Sequence, residues 1–129
     1  MELSGIKSAN KMMPLLKSIT KNIIKLWHVI IEQRNKLDKA KKNNVNIEDV
    51  KTILNKSIDE VNEYIKEIEK LGCFVEEFKR GIVNIPSLYC GRKIFLAVIP
   101  TQEEKIKFWH ELDETYSDKQ TIDGFSILE

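Results

Sequence analysis

The most restrictive feature of the sequence is a regular apolar spacing that runs through its first half. Apolar residues recur four and then three positions apart in two series, each interrupted by one polar residue. This spacing keeps one stripe of side chains on one side of an α-helix, so it predicts two long helices. The two series are Met12, Leu16, Ile19, Ile23, Leu26, Ile30, Gln33 and Leu37, and then Val50, Leu54, Ser57, Val61, Tyr64, Ile68 and Leu71.

Signals for helix ends flank the two series. Pro14 lacks an amide N–H and should begin the regular helix or kink it. A polar loop separates the two series at residues 39–46, and its last residue, Asn46, is a good N-cap for the second helix. Gly72 directly follows the second series as a stop. The first half is therefore predicted to be an antiparallel helical hairpin over residues 8–71, with helices of roughly 45 and 35 Å.

The second half of the sequence changes to a spacing of two. Short segments rich in β-branched and aromatic residues occupy 73–78, 82–85 and 92–99, and they are separated by glycine-containing turn signals. They predict an antiparallel meander over residues 73–122. The predicted fold class is α+β, with the hairpin packed on one face of a small antiparallel sheet of three or four strands. The length of 129 residues indicates a single domain, 1–129.

One segment, FWHELDET at residues 108–115, fits both a helix and a strand. Thr101 and Glu104 form a capping-box pattern ahead of it, and a helix would bring His110 and Asp113 onto one face. A strand would instead alternate the same residues between the two faces of the sheet. The spacing of the residues leaves both alternatives open.

A resemblance to a known family favours the strand. The chain resembles, over nearly its whole length, the uncharacterised prokaryotic family called domain of unknown function 2203. The resemblance implies a strand at the tryptophan–histidine segment, after a tight hairpin, and it implies no reaction. It rests on ANKMMPLL at 9–16, RGIVNIP at 80–86, Gly91–Arg92, WHELD at 109–113, Tyr116 and Gln120–Thr121–Ile122.

The sequence departs from the family pattern at several positions. Asn84 stands where the family has an aspartate, and Thr121 replaces a proline. Asp118–Lys119 replaces a Gly–Arg pair, and Val98–Ile99 replaces a Trp–Arg pair. If these positions belong to a site, the site is altered in this chain.

As a strand, residues 106–113 divide the candidate site residues between two faces. His110 would face the helices, either as a buried hydrogen-bonded histidine or as a general base or metal ligand. Glu111 and Asp113 would share the other face about 6.8 Å apart, within reach of a divalent cation. Trp109 would be exposed among these charges, which is typical of an interface or a ligand platform.

Further candidates for ligand binding lie near the first predicted hairpin. They are Glu77, Arg80 and Asn84, and an ion pair of Arg80 with an acidic neighbour is the structural alternative to an anion site. Catalysis, if present, would fall on His110 and Asp113. The sequence leaves enzymatic activity open, because it contains no complete catalytic constellation, and it indicates no cofactor beyond a divalent metal.

Charge is unevenly distributed, although the net charge is +1. Residues 1–46 carry ten basic and three acidic side chains, whereas residues 47–78 carry four basic and nine acidic ones. This asymmetry predicts that the two helices pair, and it disfavours nucleic acid as the main partner. The apolar band on each helix is wider than one helix–helix seam requires, which predicts a homodimer joined through the helices.

The sequence also predicts where the protein acts and what kind of protein it is. It contains neither an apolar run long enough to span a membrane nor a signal-peptide core, so we expect no membrane partner and a cytoplasmic location. The favoured function is a small non-enzymatic binding or assembly protein that is dimeric through its helices. The alternative is a small metal-binding protein or enzyme that uses His110, Glu111 and Asp113.

Overall fold

The computed structural model of the chain describes residues 3–42, 47–122 and 127–129, and it confirms the α+β class. Two helices pack against each other, α1 (Ile6–Lys42) and α2 (Glu48–Lys70). An antiparallel meander follows, with five strands rather than three or four among the described residues. The strands are β1 (Phe74–Glu77), β2 (Ile82–Tyr89), β3 (Arg92–Val98), β4 (Phe108–His110) and β5 (Gln120–Thr121), with a 3-10 turn at Tyr116–Asp118.

The helical hairpin has nearly the predicted bounds, but Pro14 does not begin α1, which starts at Ile6 and continues through Pro14. The missing N–H of Pro14 deprives the carbonyl of Asn10 of its helical partner. Both residues line an open cavity of about 590 Å³ on this part of α1. The predicted cap at Asn46 lies outside the described residues. Gly72 adopts a positive φ of 79° just after α2, which confirms it as the stop.

None of the described helices is long and apolar enough to cross a membrane.

The helices are not equally covered by the sheet. Along α1, the turn between β1 and β2 reaches as far as Trp27, whose ring stacks on Phe78 with centroids 5.3 Å apart. Farther along, the buried side chains of the described helices continue the predicted seam between them: Ile30, Gln33, Ala40, Leu54 and Ser57.

Strand β2 extends beyond the predicted segment because it accommodates Pro86. The carbonyl of Pro86 accepts a hydrogen bond from Ser4 N at 2.8 Å, on the side of β2 away from β3. The N and O of one residue point to the same side of a strand. The missing N–H of Pro86 is therefore directed away from β3, and no hydrogen bond of that ladder is lost. Strand β1, which pairs with β2 at one edge of the sheet, is short and has a bulge between Val75 and Glu77.

The strand alternative is confirmed for β4, but the predicted assignment of its two faces is wrong. Trp109 pairs with Leu96, and both belong to the core that includes helix residues such as Leu16. Trp109 is 3 % exposed and stacks on Tyr89 with centroids 4.3 Å apart. His110 alternates with Trp109 and therefore lies on the face that points away from the helices.

The predicted pairing of Glu111 and Asp113 on one strand face is also wrong. Strand β4 ends at His110, and Glu114 N donates to Glu111 O at 3.1 Å to close a turn. The carboxylate of Glu114 accepts from Glu111 N at 2.9 Å, so the backbone group that would continue the ladder is already bonded. The geometry that motivated a metal site at these two residues is absent from the described turn.

Candidate functional site

The sheet face opposite the helices carries a buried polar cluster of three side chains, which we call the outer-face cluster. It consists of Glu76 from β1, Asn84 from β2 and His110 from β4. Strands β2 and β4 are separated by β3, where the small side chain of Ala97 lies opposite Asn84. A larger residue at this position would occupy the space in which the side chains from β2 and β4 meet.

Short polar contacts connect the three members of the outer-face cluster. His110 Nε2 lies 3.2 Å from Asn84 Oδ1 and 3.4 Å from Glu76 Oε1. Asn84 Nδ2 donates to Glu76 Oε1 at 3.1 Å. His110 Nδ1 lies 2.7 Å from the carbonyl oxygen of Glu111, and since a carbonyl can only accept, Nδ1 is the donor. His110 is fully buried, whereas the Glu76 side chain remains 19 % exposed.

The segment that follows β4 folds back over this face through Tyr116. Its backbone N donates to Glu76 Oε2 at 3.1 Å, and its hydroxyl donates to Glu103 Oε1 at 2.7 Å. Burial raises the pKa of Tyr116, and the hydrogen bond to the Glu103 carboxylate raises it further. The Tyr116 ring packs edge-on against Phe108, and Lys119 Nζ lies 4.1 Å from its centroid. Tyr116 thus bonds to the cluster through its backbone N, while its ring contacts Phe108 and Lys119.

Four of the predicted site residues, the catalytic candidate His110 and the ligand-binding candidates Glu77, Arg80 and Asn84, form two groups. Asn84 and His110 meet in the cluster, as described above. Glu77 and Arg80 instead form a two-point ion pair, with Nε–Oε1 and Nη2–Oε2 distances of 2.9 and 3.0 Å. The hydrogen bond from Arg80 lowers the pKa of Glu77, and that of Arg80 is raised in turn. Arg80 is therefore in an ion pair with an acidic neighbour, which was the structural alternative to an anion site.

The remaining predicted residues lie outside the cluster. Asp113 is exposed in the turn after β4, and Trp109 is buried on the opposite face of the sheet. Glu111 forms an ion pair with Arg92, whose Nε lies 3.1 Å from Oε1 and 3.3 Å from Oε2. Arg92 also lies 5.7 Å from the centroid of Trp109. Among the described residues, no three His, Cys, Asp or Glu side chains are arranged to hold a metal ion.

The ion pair of Glu111 and Arg92 predicts a dependence of stability on pH. The hydrogen bond from Arg92 holds the pKa of Glu111 below its ordinary value of 4.5 in the folded chain. Its contribution to stability is therefore present above that ordinary value and is lost as the pH falls through the lowered one. We expect the melting temperature of wild type to exceed that of Arg92→Met by more at about pH 7 than at about pH 3. An equal difference in melting temperature at both pH values would contradict a stabilising ion pair between Glu111 and Arg92.

Sequence reasoning missed two members of this region, Glu76 and Glu103. The contact of Glu76 with Asn84 can be deduced only from the register of β1 and β2. The bulge in β1 makes that register irregular. Tyr116 was identified by the family resemblance, but not its position over the cluster. None of the main surface cavities formed by the described residues is lined by Asn84 or His110. The cluster is closed rather than concave.

One known protein family matches most of the chain. The profile of the family described as "Uncharacterized conserved protein (DUF2203)" matches residues 5–122 of the 129. The chain belongs to the DUF2203 family. The matched range includes both helices and all five strands, so the outer-face cluster lies within the DUF2203 region. No curated protein and no solved structure matches the chain significantly. The function of the DUF2203 chain is therefore argued from its own residues.

Proposed function

We propose that the chain is a non-enzymatic binding and assembly protein that acts as a homodimer joined through its helices. The observation that carries this proposal is the sheet-facing side of α1, which continues past the end of the sheet. We also keep the predictions that the protein acts in the cytoplasm and that a second copy, rather than nucleic acid, is its main partner.

Four residues of α1 at a 4-3-4 spacing define the sheet-facing side: Thr20, Ile24, Trp27 and Ile31. The first two lie against Gly81, where a Cβ would sit 3.2 Å from Thr20 Cβ and 3.0 Å from Ile24 Cδ1. Trp27 is covered by Phe78. Ile31 comes next on the same side and is 39 % exposed. The apolar side of the helix is thus longer than the sheet that covers it.

The neighbouring surface of α2 extends this apolar side. Ile58 and Ile65 are half-buried, and together with Trp27 and Phe78 they line a cavity of about 160 Å³ between the helices and the sheet. Apolar area removed from water contributes about 25 cal/mol per Å². A second hairpin laid beside Ile31 would cover this area, whereas the small sheet of the same chain does not.

Charge supports an antiparallel arrangement of two copies. Residues 28–42 of α1 carry five basic and two acidic side chains, whereas residues 48–62 of α2 carry two basic and four acidic ones. A two-fold axis between the hairpins would set α1 of each copy against α2 of the other, which brings opposite charges together. The same charges oppose a parallel arrangement of α1 against α1.

The dimer is tested by charging the uncovered side of α1. We expect wild type to have about twice the chain mass of 15.1 kDa in light scattering at micromolar concentration. Ile31→Glu would place a buried, unpaired carboxylate in each half of the interface and should yield a folded monomer. Leu15→Glu is the matched control, because Leu15 is 50 % exposed on another side of the same helix.

Three outcomes would contradict the proposal. A wild-type monomer over a roughly hundredfold concentration range would exclude the homodimer. An Ile31→Glu variant that remains dimeric would exclude this surface as the interface. Dissociation of Leu15→Glu as well would indicate that any added charge on α1 disrupts the protein, which circular dichroism of both variants would detect as lost helix.

A further inference from the structure

We infer that the outer-face cluster binds one divalent transition-metal cation, with His110 Nε2, Glu76 Oε1 and Asn84 Oδ1 as its ligands. This site is separate from the dimer surface and does not depend on it. It also differs from the pair predicted from the sequence, Glu111 and Asp113, which the structure separates.

The first argument comes from counting hydrogen-bond donors in the cluster. His110 Nδ1 carries a proton because it donates to the Glu111 carbonyl. In the neutral ring, Nε2 then presents a lone pair, and it faces Asn84 Oδ1 and Glu76 Oε1, which are both acceptors. Three lone pairs converging in a buried space repel one another unless a positive centre lies between them.

The orientation of the Asn84 amide does not change this count. As oriented, its Nδ2 donates to Glu76 Oε1 and its Oδ1 faces His110. If the amide were reversed, its nitrogen would donate to His110 Nε2, but its oxygen would then face the Glu76 carboxylate. Either orientation leaves two acceptor–acceptor contacts, one of which is between His110 Nε2 and Glu76 Oε1. A cation bound at Nε2 would relieve these contacts in both cases.

The second argument is the spacing of the three atoms. Nitrogen and oxygen ligands bind Zn²⁺ at about 2.0–2.2 Å, which places two ligands of a tetrahedral site about 3.3–3.6 Å apart. Octahedral ligands at the same bond lengths are about 2.8–3.1 Å apart. The 3.4 Å from His110 Nε2 to Glu76 Oε1 falls in the tetrahedral range, and the 3.2 Å from Nε2 to Asn84 Oδ1 lies between the two ranges. A metal could enter with small side-chain rotations.

The third argument is the support that each ligand receives. Histidine ligands commonly donate their other ring N–H to a backbone carbonyl, as His110 does to Glu111. The second carboxylate oxygen of Glu76 accepts from Tyr116 N, which leaves Oε1 directed at the cluster. Glu76 belongs to an edge strand and its side chain is 19 % exposed, which provides a route for the ion. Imidazole with two oxygen ligands suits Zn²⁺ and its neighbours, with water completing the shell.

The test is titration of metal-free wild type with Zn²⁺ and Co²⁺ in calorimetry and thermal unfolding. We expect one equivalent of metal per chain, a higher melting temperature, and visible absorption of the Co²⁺ form. His110→Ala should weaken binding about a hundredfold or more and abolish the absorption, since it removes the nitrogen ligand. His28→Ala, at the exposed histidine of α1, is the matched control and should bind as wild type does.

A gain-of-affinity variant guards against misfolding of His110→Ala. Asn84→Asp exchanges a neutral oxygen ligand for an anionic one of the same size, and we expect about tenfold tighter binding. Glu76→Gln removes the anionic ligand and should weaken binding while keeping the shape of the side chain. The monomeric Ile31→Glu chain should bind metal as wild type does, so failure of the dimer and failure of the metal site can be told apart.

Two results would overturn the inference. One is the absence of stoichiometric binding by wild type at millimolar Zn²⁺ and Co²⁺. The other is equal affinity in wild type, His110→Ala and Asn84→Asp, which would move the bound metal to another part of the chain.

Discussion

Trp109→Ala is expected to lower the free energy of unfolding by about 3–5 kcal/mol, the cost typical of removing a large buried aromatic side chain. Trp109 is 3 % exposed, belongs to the core between sheet and helices, and stacks on Tyr89. Alanine would leave a cavity in the core and remove both the stacking and the contact with Arg92. Urea denaturation followed by circular dichroism measures the loss.

The matched control for this change is Phe74→Ala. Phe74 is an aromatic residue of the same sheet, but it lies on the outer face and is 44 % exposed. We expect it to cost about 1 kcal/mol or less, because much of its area is in water in the folded chain. If Trp109→Ala cost no more than Phe74→Ala, the tryptophan would be exposed, as the sequence alone had predicted.

Gly81→Ala is expected to cost about 2–5 kcal/mol, for two separate reasons. Gly81 has a φ of +69°, a conformation that costs an alanine about 1–2 kcal/mol. The new Cβ would also lie 3.0 Å from Ile24 Cδ1 and 3.2 Å from Thr20 Cβ. Overpacking of this kind typically adds about 1–3 kcal/mol. The free energy of unfolding in urea again measures the effect.

Gly91→Ala separates these two contributions. Gly91 has a φ of +81°, close to that of Gly81, but a Cβ there would meet nothing within 4 Å. Its replacement should therefore cost the backbone contribution alone, about 1–2 kcal/mol. Equal losses in the two variants would show that the turn between β1 and β2 does not press against α1 as described.

The helices were predictable because their spacing directly reflects burial. Leu16, Ile23 and Ile30 in α1, and Val61 and Ile68 in α2, are all buried as the 4-3-4-3 series predicted. The continuation of α1 through Pro14 was not predictable, because a missing N–H inside a helix ordinarily costs stability. Likewise, β2 continues through Pro86 because the backbone N and O of Pro86 point away from β3. This direction follows only from the pairing of the strands.

The face assignment of β4 failed for a physical reason. Alternation shows that Trp109 and His110 point in opposite directions, but it does not show which of them faces the helices. The prediction placed His110 toward the core because Phe108 and Leu112 alternate with it on the same strand face. In the structure, Trp109 faces the core, where it pairs with the buried Leu96. Of the predicted site residues, Asn84 and His110 come together. Glu76, which completes their cluster, depends on cross-strand register and was missed.

The two edges of the sheet have a consequence for solubility. A sheet edge with free backbone groups can template strands of other chains, and long, flat edges favour such polymerisation. Here one edge strand, β1, has four residues, ends in two glutamates and is interrupted by a bulge. The other, β5, has two residues. Strands this short and irregular make poor templates for fibre growth, so self-association through the sheet is suppressed by the fold itself.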